Sequence, residues 1–127
     1  MRLGLPTGGD FPVRRELLIA PTVARARALA EQRSGDRYAT YMKWGLGGDL
    51  DAHHAGFGAG TVDPWFILGP PEECARHLAE LRDETGMTHF MFKPQWPGLP
   101  HAEAMSQLEA FGTQVMPLLA ERTPAAA

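Results

Sequence analysis

A short apolar segment between two helical patterns constrains this chain more than any other feature. Residues Thr88 to Phe92 are apolar or β-prone, Gly86 precedes them, and Lys93-Pro94 follows them. Glycine ends helices readily and proline cannot continue a strand's hydrogen bonding, so the segment has the pattern of a short buried strand. Because helical patterns lie on both sides of it, the sequence predicts an α/β layer structure.

Two further apolar runs have the same character, and each is also followed by a helical pattern. We predict parallel strands near Leu17–Ala20, Phe66–Leu68 and His89–Phe92. Thr22 is expected to cap the first helix, in which Ser34-Gly35-Asp36 either interrupts the helix or caps a second helical segment.

The second and third helices carry apolar stripes. Glu72 and Glu73 open the second helix, which runs to about Thr85, and Cys74 lies on its stripe, so we predict a buried and inert thiol. The third helix is predicted from His101 to Glu121. Its expected buried stripe is Met105, Leu108, Phe111, Val115 and Leu118.

The totals indicate one soluble domain of 127 residues, with 44% hydrophobic and 21% charged residues. The net charge of −3 argues against binding to nucleic acid or an anionic membrane. One cysteine cannot form an internal disulfide, and the chain contains no signal-like start and no apolar run of ~18 residues, so a cytoplasmic protein is expected. Residues 1–12 and 122–127 are predicted to be frayed ends and 45–62 a loop.

The glycine-rich segment Gly45 to Gly60 contains the carboxylates and imidazoles of Asp49, Asp51, His53 and His54. These are suitable ligand types for a divalent ion. Adjacent side chains in a mobile loop are not preorganised, however, and a solvated polar loop explains them without a metal. We therefore predict no metal site.

The loop after the third strand is the predicted ligand site. Ligands of parallel α/β structures usually lie at the carboxyl ends of the strands, where Lys93, Gln95 and Trp96 follow one strand and Gly69 ends another. These four are the candidate binding residues, whereas the catalytic residues are unknown. The structural alternatives are that Trp96 covers the end of the fold and that Lys93 pairs with a carboxylate on the next helix.

Several segments, taken in order, resemble the C-terminal third of the bacterial luciferase-like flavin-dependent monooxygenases. The order and spacing of the segments carry this resemblance, which spans Val13 to Glu121. The segments are 15–22, 41–46, 65–75, 86–90 and 93–101, with Phe111, Val115 and Met116-Pro117 after them.

The resemblance implies an eight-stranded β/α barrel that binds reduced FMN, or in some members F420, at the carboxyl ends of its strands. It implies O₂-dependent oxidation of a small organic substrate, with a flavin reductase as a partner in many cases. A barrel of this kind takes about 250 residues, so the three predicted strands would be its last three.

Two positions depart from the family's pattern. The family commonly has Ser, Thr or Asp where this chain has Pro70, and Arg where it has Lys93, which removes a side-chain helix cap and a planar bidentate donor. The strands that carry most flavin contacts in relatives are also missing. The alternative function is therefore a non-catalytic half-barrel that associates with a second copy or a complementary chain.

Overall fold

The computed structural model describes residues 8–44, 66–96 and 98–122. The predicted loop of residues 45–62, its four candidate metal ligands and the predicted frayed end after residue 122 lie outside these ranges. The elements in chain order are β1 (Pro12–Arg14), β2 (Leu17–Ile19), α1 (Val23–Lys43), β3 (Ile67–Gly69), α2 (Pro71–Thr85), β4 (His89–Met91), α3 (His101–Ala110), a π-helical turn (Phe111–Val115) and α4 (Met116–Glu121).

The three predicted strands are present as β2, β3 and β4, and each is followed by a helix. Strand β2 pairs in parallel with β3, and β4 pairs in parallel with β1. The prediction of an α/β structure with short parallel strands is confirmed. Strand β1 was not expected, because residues up to Pro12 were predicted to be frayed. Its short sequence has no strand pattern of its own, and pairing with β4 makes it a strand.

The backbone of residues 11–20 is shared between two neighbouring strands. Odd-numbered residues bond to the β4 segment, since Phe11 O accepts from Thr88 N and Arg15 N donates to Met91 O. Even-numbered residues bond to β3, through Glu16 O and Ala20 N. Successive residues of an extended chain direct these groups to opposite edges, so β3 and β4 lie on opposite sides of the first strand segment.

Helices cover both faces of the two-stranded β2–β3 sheet. The α2-side cluster contains Leu17 and Ile67, and the α1-side cluster contains their chain neighbours Leu18 and Leu68. Crossovers between parallel strands are right-handed as a rule, so two crossovers that run in opposite directions across a strand segment are expected to place their helices on opposite faces. An arc of a closed barrel would instead keep consecutive strands adjacent and its helices on one face.

Helix α1 runs without interruption from Val23 to Lys43, so both expectations for Ser34-Gly35-Asp36, an interruption of the helix and the cap of a second helical segment, were wrong. A single glycine inside a helix costs only ~1 kcal/mol, which the rest of a long helix tolerates. The helix begins as predicted, because Thr22 Oγ1 accepts a hydrogen bond from Arg25 N at 3.1 Å.

The C-terminal helical region differs from its predicted stripe. Phe111 and Val115 pack in the α2-side cluster, but Met105 and Leu108 are about half exposed. The prediction for those two residues was wrong, because Ala104 instead of Met105 is buried against the sheet and the π-helical turn changes the angular spacing from α-helical values.

Candidate functional site

The loop from Phe92 to Pro100 carries three of the four predicted site residues and connects β4 to α3. Leu99 N donates to Trp96 O at 3.0 Å, and Gly98 has φ +76°. A positive φ at the third residue of a turn closed by such a bond is typical of a type II turn, and glycine is the usual residue there. Pro100 O then accepts from the backbone of Glu103 and Ala104, so the turn leads directly into the helix.

The side chain of Gln95 stabilises this turn by hydrogen bonds to its backbone. Its Nε2 donates to Trp96 O at 3.1 Å and to Leu99 O at 2.9 Å. Both donors of the amide are therefore used within the loop. Only its Oε1 acceptor could serve a ligand, since the described residues place no donor on that atom.

Trp96 is fully buried and lies in the α1-side cluster with Leu68 and Leu99. Its ring meets Phe66 edge to face, with centroids 5.9 Å apart and planes at 75°. The ring thus packs the loop into the α1-side cluster, as a core residue. A contact between the Trp96 ring and a ligand stays a prediction.

Lys93 is exposed on the same loop, just beyond the carboxyl end of β4. It is the one predicted site residue that presents a charge to solvent. No carboxylate among the described residues forms a salt bridge with it.

Gly69 ends β3 and is buried, with φ +135°. A Cβ at this position would lie 2.9 Å from Val23 Cγ2 and 3.3 Å from Glu73 Cγ. The missing side chain therefore lets the first turns of α1 and α2 approach the end of the strand. This close packing is the role that the structure shows for Gly69, and a ligand contact there stays a prediction.

The N-terminus of α2 is poorly suited to an anion. Pro70 occupies the N-cap without a side-chain cap bond, and the first turn holds Glu72 and Glu73. Arg76 donates to the carboxylates of Glu73 and Glu80, and its hydrogen bond to Glu73 lowers the pKa of that carboxyl group. Proline supplies no N–H and the carboxylates repel negative charge, so this turn does not offer a phosphate site.

Cys74 is buried as predicted, and its Sγ donates to Gly69 O at 3.5 Å. Burial raises the pKa of the thiol to about 12, and the neighbouring Glu73 and Glu72 carboxylates act in the same direction. A thiol with this pKa carries almost no thiolate at neutral pH and is a poor nucleophile.

Gln107 is a residue of this region that the sequence reasoning missed. Its Oε1 accepts from Ile19 N at 2.8 Å, and its Nε2 donates to Ile19 O at 2.7 Å. The side-chain amide thus occupies the hydrogen-bonding edge of β2 at Ile19, which β4 does not extend far enough to pair with. The available signal was a polar residue on the helix face that also carries the buried Ala104 and the packed Phe111.

Within residues 8–44, 66–96 and 98–122, no group of three or more His, Cys, Asp or Glu side chains is arranged to hold a metal ion. The helices in these ranges include none that is long and apolar enough to cross a membrane. Comparison of the chain with models of known protein families gives no match, and comparison with curated protein sequences also gives none.

The described residues fit only part of a flavin site. Lys93 could meet a phosphate and Gln95 Oε1 could accept one hydrogen bond, but the Trp96 ring is covered by the core and α2 offers the phosphate no N-terminus. A flavin also needs an apolar cleft that encloses most of its surface. The described residues therefore do not supply a complete flavin site.

Proposed function

We propose that this chain is the C-terminal portion of a luciferase-like flavin-dependent monooxygenase and contributes one wall of a site for FMN or F420. The order of the sequence segments that resemble this family supports the proposal. The structural observation that carries it is the position of the 92–100 loop, which Trp96 packs against β3 beyond the carboxyl ends of the parallel strands. Ligands of α/β proteins bind at such strand ends.

In this proposal the remaining strands of the barrel supply the rest of the cleft that encloses the flavin. Lys93 faces the anionic part of the cofactor, Gln95 Oε1 accepts from a polar group, and Trp96 and Gly69 shape the wall behind them. When bound, the flavin would supply the redox chemistry toward O₂ and a small organic substrate. The protein's part is to hold the cofactor and to exclude water.

A barrel requires a strand order that differs from the pairing observed here. In a barrel, β3 would lie between β2 and β4, whereas here β4 pairs with β1 on the opposite side of the first strand segment. Joining a complete barrel would thus require β4 to leave β1 and pair with β3. Amide protection at Arg15, whose N–H bonds Met91 O here, should then differ between this chain and the complete protein.

The direct test is a titration of oxidised and reduced FMN into the purified chain. The same titration is made with the Lys93→Gln variant and with a control of equal charge change, Arg27→Gln, at an exposed residue of α1. We expect weak binding that Lys93→Gln reduces further and Arg27→Gln leaves unchanged, with no O₂-coupled oxidation. An incomplete site gains few contacts against an association cost of at least ~4 kcal/mol. Equal binding by the wild type and both variants would contradict the site, and micromolar binding with coupled oxidation would contradict the need for a second part.

A second candidate function is a non-catalytic association module. The exposed face of the β1–β4 pair favours it. Pro12, Arg14, His89 and Met91 are all exposed on β1 and β4, and no described strand pairs with the outer edge of β3 or β4. Open edges and uncovered sheet faces favour association. Sedimentation velocity over a range of concentrations would detect self-association, and a strictly monomeric chain would remove this support.

A further inference from the structure

We infer that Gln107 is a positioning residue: through its two bonds to Ile19 it fixes where the 92–100 loop lies against the ends of the strands. The inference rests on the proposed function only for the loop's role as a ligand wall. Its physical content, the position of the loop, can be measured without any ligand.

The side-chain amide of Gln107 matches the two backbone groups of Ile19. A primary amide has one acceptor oxygen and a donor nitrogen, so it can satisfy both the N–H and the C=O of one residue, as a neighbouring strand would. Gln107 does this to Ile19 at 2.8 and 2.7 Å. This pair of bonds fixes α3 to the carboxyl end of β2 in both distance and direction.

Gln107 is connected to the 92–100 loop through α3, which the loop leads into. The region from Gln95 to Ala104 is internally bonded, by Gln95 to Trp96 and Leu99 and by Pro100 to the first turn of α3. Its buried side chains, Trp96, Leu99 and Ala104, pack in the α1-side cluster, and the Gln107 amide holds α3 to Ile19. The Gln107 amide adds two directional hydrogen bonds to this packing.

The test follows the Trp96 ring in the full chain, with Trp44→Phe and Trp65→Phe present so that Trp96 alone fluoresces. Gln107→Ala is compared with Gln114→Ala, which changes an exposed glutamine of the same helical region. We expect Gln107→Ala to increase quenching of Trp96 by acrylamide while circular dichroism still reports a folded chain. The Ile19 amide should lose more protection than the neighbouring Ala20 amide, by a factor of about five, which corresponds to one ordinary hydrogen bond. Gln114→Ala should change neither.

Gln107→Glu separates positioning from plain stabilisation. A protonated glutamic acid offers an acceptor oxygen and an O–H donor, whereas the ionised form only accepts and would face Ile19 O with a negative charge. We expect Trp96 in this variant to become exposed as pH rises through the carboxyl titration, before any loss of helix signal, while the Gln107 parent in the same background shows no such step.

Two results would overturn the inference. One is unchanged Trp96 quenching in folded Gln107→Ala. The other is simultaneous loss of Trp96 burial and helix signal in Gln107→Glu, which decides the matter even where Gln107→Ala fails to fold. Flavin titration does not enter either readout, so failure of the proposed function leaves this test intact.

Discussion

The side chain of Gln107 makes both hydrogen bonds of a strand neighbour to Ile19, which lies 88 residues earlier in the chain. Strand β4 pairs with the first strand segment only as far as Met91 and Arg15, so the next stretch of that edge needs another partner. An amide on a helix supplies it, and α3 thereby covers a sheet edge that would otherwise be open to pairing.

Removing this amide should destabilise the protein. We expect Gln107→Ala to lower the free energy of unfolding by about 1–3 kcal/mol, because the half-buried Ile19 N–H and C=O lose their partner. Gln114→Ala should stay within about 0.5 kcal/mol of the wild type, as exposed substitutions usually do. Urea denaturation measures both, and equal stabilities of the two variants would contradict the importance of the Ile19 contact.

Gly69 should not tolerate a side chain. Gly69→Ala is expected to cost roughly 1–3 kcal/mol from the positive φ alone, with an added clash against Val23 Cγ2. Gly112→Ala is the matched control, because its Cβ would meet nothing within 4 Å and its φ is ordinary, so a gain of about 0.5–1 kcal/mol is expected. Adding Val23→Ala to Gly69→Ala should recover the clash contribution only. Full recovery in this double variant would show that the φ value imposes no strain.

Trp96 should behave as a core residue. Trp96→Ala is expected to lower the free energy of unfolding by about 3–5 kcal/mol, since it empties a fully buried site beside Phe66. Trp44, with 68% of its surface exposed, provides the control, and Trp44→Ala should change stability little. Thermal melts of both variants decide this, and a small effect at Trp96 would indicate that the ring is free to serve a ligand.

Cys74 should be unreactive in the folded protein. Its pKa of about 12 predicts labelling by a disulfide reagent at pH 8 only through unfolding, so the rate should follow the unfolded fraction as urea is added. The raised pKa also predicts stability that is complete below the ordinary value of 9.0 and is lost as pH rises toward 12. Cys74→Ala should lack that part of the alkaline loss. Rapid labelling without denaturant would contradict the burial.

The Glu73 carboxylate should stabilise the protein at neutral pH and lose this effect in acid. Its pKa is lowered chiefly by the hydrogen bond from Arg76, so the contribution is present above the ordinary value of 4.5 and disappears as pH falls through the lowered value. Because the pair is partly exposed, the contribution should be at most about 1 kcal/mol. The stability difference between wild type and Glu73→Gln, measured by urea denaturation, should shrink from pH 7 to pH 3, and a difference that stays constant over this range would contradict the role of the Arg76 hydrogen bond.

The sequence alone determined the local structure. The apolar runs, the Thr22 cap, the acidic first turn of α2 and the left-handed Gly86 at its end could be predicted because each depends on residues a few positions apart. The burial of Cys74 also followed from the sequence, since the helical stripe repeats within one element. The loop at the candidate site was located in the same way, from the residues on either side of it.

Only the tertiary structure decided which strands are neighbours, which faces are covered and what the site residues do. Strand β1 forms because β4 pairs with it. The Trp96 side chain is buried because apolar residues of β3 and α1 lie in the same cluster. The Gln107 contact joins residues 88 positions apart, and no local pattern encodes such a distance. Sequence patterns record what a segment can bury, whereas the partner that buries it is chosen by the free energy of the whole packed chain.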